Sequence, residues 1–188
     1  MARPKTLPKR LTREEASALL AQPNLRYPTG IRDRALMRTF YCAGLRCAEG
    51  LDLKVRDVNL AKNEVRVNKG KGGKDRILWV DDATVEMLDR WKFIRPRGEW
   101  FYSTLKGRHL NSSAVREMMA RRGLKAGIPI RVHPHILRHT FASELLEEGY
   151  TIAEVQILLG HSRMETTSGY LHIAAGNLSR RLVKREVG

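Results

Sequence analysis

Apolar residues recur along this chain with two different periods, and the switch between them sets a run of helices around one short sheet. Thr12-Arg-Glu-Glu15 is a capping-box pattern with Ala16, Leu19 and Leu20 on one face behind it, which predicts a helix over 12–21. Ile31, Ala35, Leu36, Phe40 and Ala43 then repeat at helical spacing, and Gly44 suits the stop. A short helix from Cys47 to Leu53 is expected next. The period then falls to two. Val65 and Val67 alternate with polar neighbours, Gly70 to Gly73 makes a turn, and Ile77 to Val80 is a second apolar run, together a β-hairpin signature. Two strands alone are marginal, so a third strand or a helix must cover them.

Helical spacing returns with Val85, Leu88, Trp91 and Ile94 behind a cap at Asp82, and Pro96 and Gly98 close that segment. Trp100 to Ser103 reads as a short strand or turn. A helix is expected over 112–125, and Pro129 to His133 as extended chain. Pro134 suits the first position of a helix that runs to Gly149. Thr151-Ile-Ala-Glu154 is a second capping box, opening a helix that stops at Gly160. The stretch 163–186 reads as helical with a break near Gly176. The expected fold class is therefore α+β, mostly helical with one small antiparallel sheet.

Composition adds a partner to this picture. The 188 residues include 35 Lys and Arg against 20 Asp and Glu, a formal charge of +15. The basic residues run along the whole length, which points to a polyanion such as nucleic acid. The length suits one domain with a sizeable core, or at most two small ones. The two cysteines, Cys42 and Cys47, fall on one helical region where they point in different directions, so no disulfide is expected and a reducing compartment fits. The first ten residues lack the apolar run of a signal peptide. No stretch approaches the ~18 consecutive apolar residues that span a membrane. A cytoplasmic protein without membrane contact is expected.

The densest chemistry lies in His133-Pro-His-Ile-Leu-Arg-His139. His135 and Arg138 are three apart, on one face just inside a helix N-terminus, where unpaired N–H groups already favour anions. An imidazole and a guanidinium added there suit a phosphate, although a solvated basic face reads the same way. His135, His139 and His161 also suggest a zinc set, but Ile136 stands where a zinc protease carries its glutamate base. The turn Gly70-Lys-Gly-Gly-Lys-Asp-Arg76 is not a phosphate-binding loop of the Walker type, which needs four residues between its glycines.

Taken with Ala43-Gly-Leu-Arg-Cys-Ala-Glu49 upstream, and with Leu158-Leu-Gly-His161 and Tyr170 downstream, these segments resemble the catalytic domain of the tyrosine recombinases. That family includes phage integrases, Xer-type resolvases, integron integrases and Fim-type invertases. The motifs A-G-L-R-x-x-E, G-K-G-x-K-x-R, H-x-L-R-H, L-G-H and Y occur in order, and Leu7-Pro-Lys-Arg-Leu-Thr12 is similar to the start of an Xer-type catalytic domain. The resemblance covers roughly residues 7–175.

The resemblance implies a catalytic set of Arg46, Lys71, His135, Arg138, His161 and the nucleophile Tyr170. Lys71 is chosen over Lys69 and Lys74 by its register between two glycines. Glu49 matches an often acidic position that supports the arginines, and His139 is expected to be structural. The implied reaction is cleavage and rejoining of double-stranded DNA through a 3′-phosphotyrosine. In it His135 relays a proton, Arg46, Arg138 and His161 hold phosphoryl oxygens, and Lys71 protonates the leaving oxygen. Neither a metal nor another cofactor is called for.

The implied assembly is a homotetramer on two duplexes, with a monomer or weak oligomer when free. Type IB-like topoisomerase activity and a non-catalytic DNA-binding or architectural module stand as alternatives. The expected organisation is a basic arm or linker over 1–10, the catalytic domain over 11–175, and a basic tail over 176–188 that contacts a neighbouring subunit. The N-terminal core-binding domain usual in the family is expected to be absent.

Overall fold

The computed structural model describes residues 10–68 and 75–160. Its centre is a helix that is buried nearly all round. This helix, α2 (Pro28–Ala43), follows α1 (Arg13–Ala21) and buries every residue from Ala35 to Ala43. Most of those residues are small or apolar, as a helix with neighbours on all sides requires. The buried Thr39 hydroxyl donates to the Ala35 carbonyl and lies 2.6 Å from the Tyr102 hydroxyl. Thr12 caps α1 in the expected capping box, its hydroxyl accepting from the Glu15 N–H at 3.2 Å.

After α3 (Cys47–Leu51) come three strands, β1 (Val58–Asn59), β2 (Glu64–Val67) and β3 (Arg76–Trp79), paired antiparallel in that order. Val65 faces Val58 on one side and Leu78 on the other, so the apolar positions of the hairpin line up on the core face. The two-residue β1 is the third strand that the hairpin needs. Helix α3 is two residues shorter than the expected 47–53. The chain leaves it because the Leu53 carbonyl accepts the Phe101 N–H at 2.7 Å, and Lys54 bridges to Trp100. The stretch 100–103 thus forms isolated bridges, one of them between Ser103 and His109.

Four helices complete the described chain: α4 (Asp82–Ile94), α5 (Ser112–Lys125), α6 (Pro134–Glu147) and α7 (Ile152–Leu159). Asp81, rather than the expected Asp82, caps α4, accepting the Thr84 N–H at 2.6 Å. Its carboxylate also receives the buried Arg38 guanidinium at 3.2 Å and the Cys42 thiol at 3.3 Å, which ties α2 to α4. Burial, reinforced by the Asp81 charge, pushes the Cys42 thiol up to about 12, so it stays protonated. Both cysteines are free. Asn111 caps α5, and α6 begins at Pro134 but ends at Glu147, two residues before Gly149. The expected helical stretch 163–186 lies outside the described residues.

The N-terminal end of the described chain is held on α6. Leu11 is buried, and its N–H donates to the Thr140 hydroxyl at 3.0 Å. Arg10 and Arg13 pair with Glu147 and Glu148 at the end of that helix. Among the described residues no helix is long and apolar enough to cross a membrane.

Gly44 closes α2 in the left-handed conformation, φ 59°, and a Cβ there would stand 2.4 Å from the ring of buried Phe141. Gly127, at φ 73°, has nothing within 4 Å of such a Cβ. Gly127→Ala is therefore expected to cost only the left-handed strain, ~1–2 kcal/mol. Gly44→Ala adds overpacking, for roughly 2–5 kcal/mol in all. Urea unfolding of the two variants measures the difference, and equal losses would refute the steric account.

Candidate active site

Three elements that are far apart in sequence, α3, β3 and α6, meet at the side chain of Glu49. The carboxylate lies in the first turn of α3 and is 10% exposed. Its Oε2 accepts the backbone N–H of Arg46 at 2.8 Å, in the manner of a capping-box glutamate. Its Oε1 accepts from Arg46 Nη1 at 2.7 Å. Arg76, the first residue of β3, donates Nη1 to Oε1 at 3.0 Å and Nη2 to Oε2 at 2.8 Å. Arg138, one turn into α6, brings Nη1 to 4.0 Å. One carboxylate thus gathers three guanidinium groups.

The electrostatics follow from that geometry. Burial pushes the Glu49 carboxyl up, but the hydrogen bonds from Arg76 and the Arg46 backbone, with the nearby positive charge, outweigh it and hold the group at about 2. Burial, with the Arg46 charge beside it, brings Arg138 down to about 10 despite Glu49, which still leaves it charged at neutral pH.

Arg138 is 5% exposed and is held by carbonyls at two helix ends. Nη1 donates to the Gly44 carbonyl at 2.6 Å and Nη2 to that of Leu159 at 2.7 Å. Those carbonyls have no partner within their own helices, and helix C-termini favour a cation. Arg46 also reaches the end of α7, donating Nη2 to the Gly160 carbonyl at 3.2 Å. It remains 30% exposed. Each terminal nitrogen of both arginines carries a second N–H that these bonds leave over.

Beside the arginines lies a cleft of about 230 Å³ lined by Arg46, Cys47, Arg116, His133 and His135, among others. It shares Arg116, His133 and His135 with a wider depression of about 520 Å³ that continues past Arg131. His135 is exposed, and its ring packs edge-on against His139 with centroids 4.4 Å apart. Burial of the ring, with the charges of His139, Arg138, His133 and Arg46, holds the His135 imidazole below its ordinary value. It is therefore neutral at pH 7 and able to accept a proton.

Of the six residues singled out in the sequence, Arg46, His135 and Arg138 are brought together here. Lys71, His161 and Tyr170 lie outside the described residues. So does the third histidine of the alternative zinc set. Among the described residues no group of three or more His, Cys, Asp or Glu is placed to hold a metal ion.

Two further features escaped sequence reasoning. Arg76 closes the G-K-G-x-K-x-R motif, yet its partner Glu49 is 27 residues away, and no periodicity signals that pair. Arg116 sits on the polar face of α5, and nothing in its neighbourhood in sequence sets it apart.

The model of the phage integrase family matches residues 9–176. Tyrosine recombinase XerD of Staphylococcus aureus is 38% identical over 181 residues, which cover 93% of this chain and 61% of that protein. The crystal structure of XerA recombinase superposes with a TM-score of 0.77 at 29% identity, covering 99% of this chain and 68% of the other. XerH site-specific recombinase, in a post-cleavage complex with palindromic difH substrate, superposes with a TM-score of 0.73 at 26% identity, covering 94% of this chain and 53% of the other. The chain spans about three fifths of the length of the curated relatives it matches. Its mostly helical architecture with a small antiparallel sheet is the fold these recombinases share with it.

The geometry makes two predictions. Glu49→Gln removes the one negative charge among three buried or half-buried arginines, and should destabilise the protein by roughly 3–5 kcal/mol at pH 7. Because the native carboxyl is depressed, its contribution is present above the ordinary value near 4.5 and is lost as pH falls toward 2. Urea unfolding of both proteins between pH 7 and pH 2.5 should therefore show the gap closing. A constant gap would contradict the charge argument. Separately, His135 should titrate below 6.5 in NMR spectra, and Arg46→Gln should raise its midpoint by removing a cation. A midpoint unmoved or lowered would refute that coupling.

Proposed function

The chain belongs to the phage integrase family, and from that premise we propose that it cleaves and rejoins double-stranded DNA as a site-specific recombinase. The observation that carries this reading is the pair of arginines, Arg46 and Arg138, gathered around Glu49 beside an open basic cleft. Two guanidinium groups with spare N–H donors suit the non-bridging oxygens of a phosphodiester, where negative charge grows in the transition state.

In the proposed step the Tyr170 oxygen attacks the scissile phosphorus, forming a P–O bond to the 3′ side while the bond to the 5′ oxygen breaks. A phenol with a reference value near 10 is only about one-thousandth ionised at pH 7, so its proton must go elsewhere. The neutral His135 takes it. Lys71 gives a proton to the departing 5′ oxygen. His161 donates to a phosphoryl oxygen beside Arg46 and Arg138. The 3′-phosphotyrosine conserves the ester, so the 5′ hydroxyl of another strand reverses the reaction and joins a new partner. Lys71, His161 and Tyr170 enter by their motif positions; Arg46 and His135 have the added support of a shared cleft, and Arg138 of its place beside Glu49.

XerH is named as bound to its difH substrate after cleavage, which supports DNA as the partner here. The proposed assembly is a tetramer on two duplexes in the cytoplasm. Residues 11–175 form the proposed catalytic unit, a boundary that the buried Leu11 supports. The segment 1–10 would serve as a basic arm and 176–188 as a tail against a neighbouring subunit.

A randomised library of nicked duplexes tests this reading. The wild-type chain should capture a subset covalently, Tyr170→Phe none, and Arg46→Ala should slow capture by about 10²–10³. Adducts that persist in Tyr170→Phe, or no capture by the wild type, would overturn it. With the captured sequence in hand, strand exchange between two labelled duplexes distinguishes recombination from mere relaxation of supercoils. Binding should weaken linearly in log–log plots against salt, as phosphate contacts dictate.

A further inference from the structure

We propose that Arg76 is a positioning residue of this site, one that fixes the Glu49 carboxylate and so leaves Arg46 its charge and its reach into the cleft. The inference rests on the reading of Arg46 as a phosphate ligand and assigns a role to a residue which that reading does not use.

The hydrogen bonds divide the three arginines into two kinds. Arg76 spends both terminal nitrogens on Glu49, one on each oxygen, and its side chain is 13% exposed. That end-on fork neutralises the carboxylate with fixed geometry. The Arg46 side chain gives Glu49 only Nη1, sends Nη2 to the Gly160 carbonyl, and stays more open to solvent. Arg76 is thus the dedicated counter-ion, and Arg46 the partly engaged one. Without Arg76 the carboxylate would lose two of its four close donors. It would then turn to Arg46 for a forked pair of its own, drawing that guanidinium from the cleft and cancelling its charge there.

A second contact locates Arg76 more tightly. Its guanidinium lies flat against Gly160, where a Cβ would meet Nη1 at 2.8 Å, Cζ at 2.9 Å and Nε at 3.0 Å. Gly160 therefore lies between two of the arginines, its carbonyl bound by Arg46 and its Cα covered by Arg76. The same residue that sets the Glu49 carboxylate also backs Gly160 at the end of α7. Among the described residues, the charged groups facing Glu49 are Arg46 at the start of α3, Arg76 on β3 and Arg138 on α6.

The test uses the full chain and two probes, inorganic phosphate and the nicked duplex that the wild type captures most readily. In Arg76→Gln the carbon-13 titration of the Glu49 carboxyl should move up in pH, since its main stabilising hydrogen bonds are gone. The acid limb of the cleavage rate should move up with it, and the rate near neutrality should fall roughly 10- to 100-fold. Affinity for the duplex should change less than threefold, because Arg76 offers the DNA nothing directly. Inorganic phosphate should bind more weakly at the Arg46–Arg138 site. Arg76→Lys, which keeps the charge but not the fork, should fold normally and recover part of the rate.

An unshifted Glu49 titration with unchanged phosphate affinity in a folded Arg76→Gln protein would overturn the proposal. So would a loss confined to duplex affinity. Failure of the recombinase reading shows itself differently, as absence of adduct with the wild type. The titration and the phosphate measurement judge Arg76 in either case.

Discussion

A single half-buried carboxylate sets the terms for the whole site. Three guanidinium groups close together repel one another, and each loses solvent by burial. Glu49 makes their assembly possible by accepting from Arg46 and Arg76 and standing 4.0 Å from Arg138. It still leaves an excess of positive charge in the cleft. An unscreened cluster would be markedly less stable. The depressed Glu49 and the lowered Arg138 are two aspects of that compromise.

The second constraint is geometric. Arg46 and Arg138 are separated by most of the described chain, and what brings them together is the end of helix α2 at Gly44 and the end of α7 at Leu159 and Gly160. Carbonyls that no helix can satisfy internally become sockets for the arginine side chains. The buried α2 holds these parts in register, packed against α3, α4 and α6. The Arg38–Asp81 pair and the Tyr41 hydroxyl, which donates to Glu144 on α6 at 2.7 Å, fix it there with directional bonds as well as apolar area.

Much of this was legible in the chain itself. The capping boxes at Thr12 and Thr151 mark helix starts because their hydrogen bonds are local, and α5 matches its expected 112–125 for the same reason. Ends governed by tertiary contacts were harder to read. The Asp81–Asp82 pair offers two equivalent caps, and only the fold chooses Asp81. The early end of α3 depends on Phe101, which is remote in sequence. Strand β1 is too short to show a period. The site divides the same way. Arg46, His135 and Arg138 stand in recognisable motifs, whereas Arg76 takes its part from a salt bridge across 27 residues.

The seating of Arg138 bears on how such a site decays. Its guanidinium closes the ends of two helices, so a chain that lost its chemistry would still be under pressure to keep this residue for folding. Retention of Arg138 is thus a weak marker of a working enzyme. Among the described residues, His135 is exposed and is held chiefly by ring packing, without such a structural duty. On the proposed reading it would be free to drift first in a degenerating copy, and its identity would be the more telling sign of activity among relatives.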